Sequence, residues 1–266
     1  MTMGHAARPF LLPTWRWEVP VGGRAFDLLS WNLLADANLD RGWYPRVSDQ
    51  DLEPALRRRR LVSRLRELEA DVMALQEVDT NLVPELVRAF PGHQLVAAPY
   101  GGEGLVVLLR GGGARVEAMG LAGGRKKALL VQLSGGWRLA VVHLSWSGAP
   151  RRSGPEIRRG SLQLSQVLSW EPDLLCGDFN AEPGWPEREL PVQAGLVDAT
   201  PSGPTCSVRD VRRPVDVMMH RPGWRVRAEP LPLLPFGLSL PSAEHPSDHL
   251  PLKLRLWAPQ LARLAS

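Results

Sequence analysis

The feature that most constrains this chain is a series of short apolar runs that stop abruptly at a polar residue or a glycine. They lie near Phe26–Trp31, Val72–Leu75, Leu105–Leu109, Ala128–Leu133, Arg138–His143, Leu174–Gly177, Val215–Met219 and Leu250–Leu256. Runs of this length suit buried β-strands and are too short for core helices. The glycine groups Gly111-Gly112-Gly113, Gly123-Gly124 and Gly135-Gly136 fall between runs and predict hairpin turns. Two amphipathic helices are expected, one with Leu61, Leu65 and Leu68 on one face, the other with Leu164, Val167 and Leu168. Hairpins mixed with strand-helix-strand units indicate an α/β architecture, sheet packed on sheet with helices outside. No repeat or linker divides the 266 residues, so one domain over 1–266 is expected, residues 1–24 forming an N-terminal extension.

Hydrophobic residues make up 44% of the chain, enough for a large core, and no stretch approaches a membrane span. The N-terminal segment, broken by Pro and Trp, does not read as a secretory signal, and a cytoplasmic location is expected. Cys176 and Cys206 are too few for a disulfide framework, and His93, His220 and His245 lack zinc-ligand spacing. A bound metal would therefore be a hard one held by oxygen. The 32 basic residues, nearly all arginine, suit a polyanionic partner, since the guanidinium fork matches phosphate. The run Arg57–Arg60 lies within the first helix, mostly as a solvated face.

The polar residues at the ends of the runs carry the chemistry. Asn32 ends one and Glu77 another, with Gln76 beside it; His143 ends a third. "LLCGDFN" places Asp178 and Asn180 after a fourth, Asp216 lies in a fifth, and Asp248 and His249 precede the last. Residues two apart in an extended chain share a side, so Asp178 and Asn180 are expected to converge while Phe179 packs inward. Carboxylate and amide oxygens select Mg²⁺ or Mn²⁺. An Asp-His pair fixes an imidazole tautomer and keeps its cationic form available. Together these groups suit attack of water on a phosphate ester, where positioning and electrostatics supply most of the rate.

The ordered set "SWNLL", "LQEVD", "VVHLSW", "GDFN", "RPVDVMM" and "SDHLPL" resembles the endonuclease/exonuclease/phosphatase superfamily, over about Phe26 to Leu256. The resemblance implies a DNase-like four-layered α/β sandwich, two packed mixed sheets flanked by helices. It implies Asn32, Glu77 and Asp248 at the metal, Asp178 activating or orienting water, Asn180 holding water and a phosphate oxygen, and His249 with Asp216 at the scissile phosphate. His143 falls where apurinic endonucleases keep a Tyr, which disfavours that activity.

For the substrate, Arg151, Arg152 and Trp146 lie beyond His143, and Trp43, Tyr44 and Arg46 lie beyond Asn32. Arginine beside an aromatic residue suits single-stranded nucleic acid, whose bases stack while its phosphates pair. The expectation is a Mg²⁺- or Mn²⁺-dependent phosphodiesterase acting, as a monomer and without a membrane, on RNA or single-stranded DNA. The competing readings are a phosphoesterase of soluble inositol phosphates or lipid head groups, and a catalytically silent binding module.

Overall fold

The computed structural model describes residues 25–150, 156–235 and 237–259. The expected N-terminal extension over 1–24, and Arg151 and Arg152, lie outside the described residues. The chain begins with β1 (Ala25–Asn32), α1 (Asp49–Leu52), α2 (Pro54–Leu68), β2 (Val72–Gln76) and α3 (Val83–Ala89). It continues through β3 (His93–Tyr100), β4 (Glu103–Arg110), β5 (Arg115–Gly120), β6 (Lys127–Gln132) and β7 (Arg138–His143). Then come α4 (Arg159–Leu168), β8 (Leu174–Asp178), α5 (Pro186–Gln193), β9 (Val197–Asp198), β10 (Cys206–Val208) and β11 (Val211–Arg213). The last elements are β12 (Asp216–His220), β13 (Arg225–Ala228) and β14 (Leu252–Trp257).

Two six-stranded sheets form, in the orders β13-β14-β1-β2-β4-β3 and β5-β6-β7-β8-β12-β9. Alternation along each strand makes the layers. Leu28, Val72, Ala74 and Val107 of the first sheet meet Leu129, Val141, Leu174 and Cys176 of the second. On the outer faces, Leu29, Met73 and Leu75 pack on Leu61, Leu65 and Leu86 of α2 and α3. Ala140, Val142 and Leu175 pack on Leu164 and Val167 of α4. The result is the expected helix–sheet–sheet–helix sandwich. Strands covered on both faces must be apolar throughout, which is why the runs lack alternation in the sequence. Each large aliphatic side chain so buried contributes roughly 1.5–3 kcal/mol.

One expected turn is corrected. Gly111–Gly113 do not close a hairpin: β4 belongs to the first sheet and β5 to the second, so these glycines carry the chain between sheets. All three have positive φ, between 73° and 85°, which lets the chain leave β4 without Cβ strain. Gly123-Gly124 and Gly135-Gly136 do sit in the antiparallel β5–β6 and β6–β7 connections. β3 has no counterpart among the predicted strands; it is an edge strand, where Pro99 is tolerated.

Strand direction gathers the polar ends. β1 and β2 are parallel, with Asn32 opposite Gln76, and β7 and β8 are parallel, with His143 opposite Asp178. β12 runs antiparallel to β8, so its first residue, Asp216, lies opposite Asp178. β14 runs antiparallel to β1, which brings the Asp248-His249 segment before it to the same end.

Candidate active site

Glu77 comes directly after β2 at φ 51°, a left-handed conformation uncommon outside glycine. Its Oε1 accepts from Asn32 Nδ2 at 2.9 Å, and its Oε2 from Asn38 Nδ2 at 2.6 Å and the Ala35 amide at 3.2 Å. Burial alone would push its pKa up, but neighbouring His143 and the amide donors of Asn32 and Asn38 hold it down at about 2. Asn32 is fully buried and bridges the two sheets: its Nδ2 also donates to Asp178 Oδ2 at 3.0 Å. Its carboxamide oxygen accepts from the Leu34 amide at 2.9 Å. In this arrangement Asn32 faces the carboxylates with its NH₂ group, and the oxygen expected to bind metal is engaged by the backbone.

Asp178 ends β8. Gly177 before it has φ 138°, and a Cβ there would stand 1.9 Å from the Val142 carbonyl oxygen, so only glycine lets β7 and β8 approach. Phe179 is fully buried, as expected, but the extended geometry stops there. Asn180 has φ 50°, and a turn brings it back to Asp178: its amide N–H donates to Oδ1 at 2.7 Å, and Nδ2 lies 3.4 Å from Oδ2 and 3.0 Å from the Leu144 carbonyl. The two side chains thus converge by a turn rather than by strand alternation. Burial first, with Asp216 nearby, raises the Asp178 carboxyl to about 7.

His249 and Asp216 form the expected pair, Nδ1 lying 2.8 Å from Oδ2 and 3.1 Å from Oδ1. Burial opposes charge on the imidazole, yet Asp216, with Asp248, carries its pKa well above the ordinary value. Its Nε2 points toward Asp178 Oδ2 at 3.8 Å. Asp248 accepts from Tyr44 Oη at 2.9 Å, and burial raises its pKa. His143 has Nε2 3.5 Å from Glu77 Oε1 and 3.7 Å from Asp178 Oδ2. Burial first, then Lys126, lowers its pKa to about 3, so it is neutral at pH 7.

Sequence reasoning missed several groups here. Tyr100 Oη contacts His143 Nδ1 at 3.1 Å, fixing the ring. Lys126 donates to the Leu144 carbonyl at 2.8 Å, the acceptor Asn180 also uses. Asn38 donates to Glu103 Oε2 at 3.0 Å as well as to Glu77, and burial plus Glu77 raises Glu103 to about 7. Arg57, read as part of a solvated face, is fully buried. It donates to the carbonyls of Leu33 (2.8 Å), Leu34 (2.5 Å) and Pro246 (3.2 Å) and pairs with Asp36 at 2.7 Å. It thereby ties the loop after β1 to the segment carrying Asp248. Only "RRRR" marked it in the sequence, and which member turns inward depends on helix phase.

The flanking residues divide. Trp146 is 49% exposed, and its ring lies 5.5 Å from that of Trp185. Trp43 is 40% exposed, whereas Tyr44, expected beside it as a stacking group, is buried and committed to Asp248. His93 contacts the Ala70 carbonyl and His220 the Arg221 carbonyl, while His245 is buried; none of them joins the cluster. Among the described residues, the donor sets close enough to hold an ion are Glu77-His143-Asp178, Asp178-Asp216-His249 and Cys206-Asp248-His249, each with ligand atoms within 4.8 Å of one another. Burial lifts the Cys206 thiol to about 12, so it stays protonated at neutral pH.

A sandwich with acids, amides and two imidazoles at one end of both sheets defines a phosphoesterase architecture, and the comparisons agree. The chain belongs to the endonuclease/exonuclease/phosphatase family, whose model matches residues 29–249. Comparison with curated protein sequences yields no match. Among solved structures, ANGEL2, a 2′,3′-cyclic phosphatase in complex with adenosine-2′,3′-vanadate, superposes with a TM-score of 0.70 at 17% identity, covering 88% of this chain and 96% of that one. The human Nocturnin catalytic domain with bound sulfate gives 0.62 at 20% identity, covering 87% and 93%. D. rerio TDP2 with a single-strand DNA product gives 0.60 at 18% identity, covering 87% and 98%. These likenesses establish the fold.

Proposed function

We propose that this protein hydrolyses phosphodiester bonds of RNA or single-stranded DNA with the help of Mg²⁺ or Mn²⁺. The observation that carries the reading is the pairing of Glu77 and Asp178 through Asn32, beside an imidazole held by Asp216. The residues fit a divalent cation: Glu77, His143 and Asp178 present ligand atoms within 4.8 Å of one another, His143 as a neutral imidazole. Glu77 would hold the ion, with Asp178 and Asp248 near it and Asn32 orienting the acids. A cation bound there supplies charge neutralisation at the phosphate and at the leaving oxygen. Asp178, beside the ion and held by the Asn180 amide at 2.7 Å, is placed to accept a proton from the attacking water. His249 donates to a phosphate oxygen as charge develops, its ring locked by Asp216.

Nucleic acid is favoured over smaller esters by the exposed Trp146 beside the site. It is also favoured by the likeness to proteins crystallised with an adenosine-2′,3′-vanadate and with a single-strand DNA product. The test is product release from labelled single- and double-stranded DNA and RNA, phosphotyrosyl ends and inositol phosphates, with Mg²⁺, with Mn²⁺ and in EDTA. Single-stranded oligonucleotides should be cleaved only with metal. Turnover of inositol phosphates with the oligonucleotides untouched, or undiminished cleavage in EDTA, would refute the reading.

A further inference from the structure

The β10–β11 hairpin has no role in the chemistry above, yet it is fastened directly to the catalytic segment. The Ser207 amide donates to the Asp248 carbonyl at 2.8 Å, the Leu250 amide to the Thr205 carbonyl at 2.7 Å, and Cys206 bridges His249. An arginine at each end of the hairpin lies over an exposed tryptophan. Arg213, paired across the hairpin with Cys206, sits 5.4 Å from the Trp146 ring centre. Arg209, in the turn, sits 5.6 Å from the Trp43 ring centre, and its amide donates to the Trp43 carbonyl at 2.9 Å.

The turn itself is unusual. Val208 pairs with Val211, so Arg209 and Asp210 are the two central residues, at φ 53° and 59°. Such a turn favours Asn or Gly at these positions, and arginine there works against local preference. Asp210 is held by Ser239 Oγ at 2.6 Å and by Arg46 at 3.3 Å, which fixes the turn. Left-handed residues that local chemistry does not favour concentrate at functional sites.

The other end is braced from below. Trp185 lies against Trp146 and under Arg158, whose guanidinium is 5.2 Å from the Trp185 ring centre and pairs with buried Glu187 at 2.8 Å. Trp146 comes soon after His143 and Leu144, the latter bonded to Asn180, while Trp43 precedes Tyr44, which holds Asp248. One tryptophan thus adjoins each sheet's contribution to the site. Extended backbone from Arg209 to Arg213 spans at most ~14 Å.

We infer that the Cys206–Arg213 hairpin is a substrate arm that holds a single nucleic-acid strand at two points, Trp43 with Arg209 and Trp146 with Arg213, on either side of the scissile phosphate. The two tryptophans stay 40% and 49% exposed, which leaves surface for a base, and each guanidinium lies over its ring, Arg213 also 3.6 Å from Glu182 Oε1, from where it can turn to an adjoining phosphate. This deepens the nucleic-acid reading above and rests on it.

The test compares the full-length wild type with Arg209→Gly, Arg213→Ala, Trp43→Ala and Trp146→Ala. Affinity for a fluorescein-labelled single-stranded 12-mer, in RNA and DNA form, is measured at several salt concentrations. Turnover of that 12-mer is compared with turnover of bis(p-nitrophenyl) phosphate. Arg209→Gly relieves the turn, so its melting temperature should equal or exceed that of the wild type, and weakened binding cannot then be assigned to unfolding. Each tryptophan change should weaken 12-mer binding about 10-fold. The Arg209→Gly/Arg213→Ala double change should flatten the log Kd against log salt slope by about 1.4. For every variant the ratio of kcat/KM between 12-mer and minimal diester should fall about 10-fold. A wild type that binds and cleaves the 12-mer, with variants unchanged in affinity, slope and ratio, overturns the arm and leaves the nuclease reading standing. A wild type that turns over the minimal diester but neither binds nor cleaves the 12-mer overturns both.

Discussion

Glu77 and Asp178 occupy matching places in the two sheets. Each stands at the end of a strand paired in parallel with its neighbour, and Asn32 donates to both. Yet one carboxyl is held at about 2 and the other near 7. Burial pushes both upward, so the difference lies in what surrounds them. Glu77 accepts from two side-chain amides and a backbone amide, while Asp178 faces Asp216 across the β8–β12 pair. His143 and hydrogen-bond donors make one end of the site a permanent anion, and burial reinforced by a like charge makes the other a group that can take up a proton.

The largest expected effect tests the anion. Glu77→Gln should lower kcat/KM on an oligonucleotide by roughly 10³-fold, about 4 kcal/mol of barrier, with added Mg²⁺ recovering little of it. If Glu77→Gln at limiting metal matches the wild type, the permanent anion is not where the cation binds.

Next comes the Asp178 end. His249→Ala and Asp216→Asn should each lower kcat by ~10²-fold with KM little changed. The double variant should be hardly worse than either, because Asp216 acts through the ring it holds. Additive losses would show two independent contributions.

The smallest effect sharpens the comparison most, because the two ends should respond to pH with opposite signs. Folding lowers the Glu77 pKa, so its contribution to stability is present above about 4.5 and is lost as pH falls toward about 2. Folding raises the Asp178 pKa, so the native state holds a proton that the unfolded chain has released, and stability falls as pH rises from about 4 to about 7. In EDTA at pH 8, Asp178→Asn should therefore be more stable than the wild type and Glu77→Gln less stable, each by on the order of 1–3 kcal/mol. Thermal melts at about pH 3, 5 and 8 read this directly, the Glu77 response falling between the first two and the Asp178 response between the last two. Equal signs would mean that the two environments do not differ as described.

Much of this was legible in the residues. A strand buried on both faces must be a short apolar run, and its end must be polar to leave the core, so Asn32, Glu77, His143 and Asp178 could be located without coordinates. Gly177 was visible as the glycine that ends an apolar run; the Val142 carbonyl shows that it permits a close approach. The Gly111–Gly113 crossing between sheets was not legible, because a glycine turn looks the same whether the next strand pairs with the last or leaves it. Nor were Lys126, Glu103 and Tyr100, which lack motif neighbours and enter the site through contacts distant in sequence; Tyr44 was legible as a candidate, but not its bond to Asp248 from 204 residues away. Among the described residues no helix is long and apolar enough to cross a membrane.

The sequence by itself determined which side chains could do chemistry and that they lie at strand ends, because the periods of strand and helix are local properties of the backbone. Tertiary structure alone decided that strands of opposite direction bring those ends to one place, and that Arg57 turns inward while Arg213 stays over Trp146. It also decided that two carboxyls of ordinary intrinsic acidity part company. Strand pairing, burial and charge proximity are relations between distant residues, and they acquire values only when the chain has closed around them.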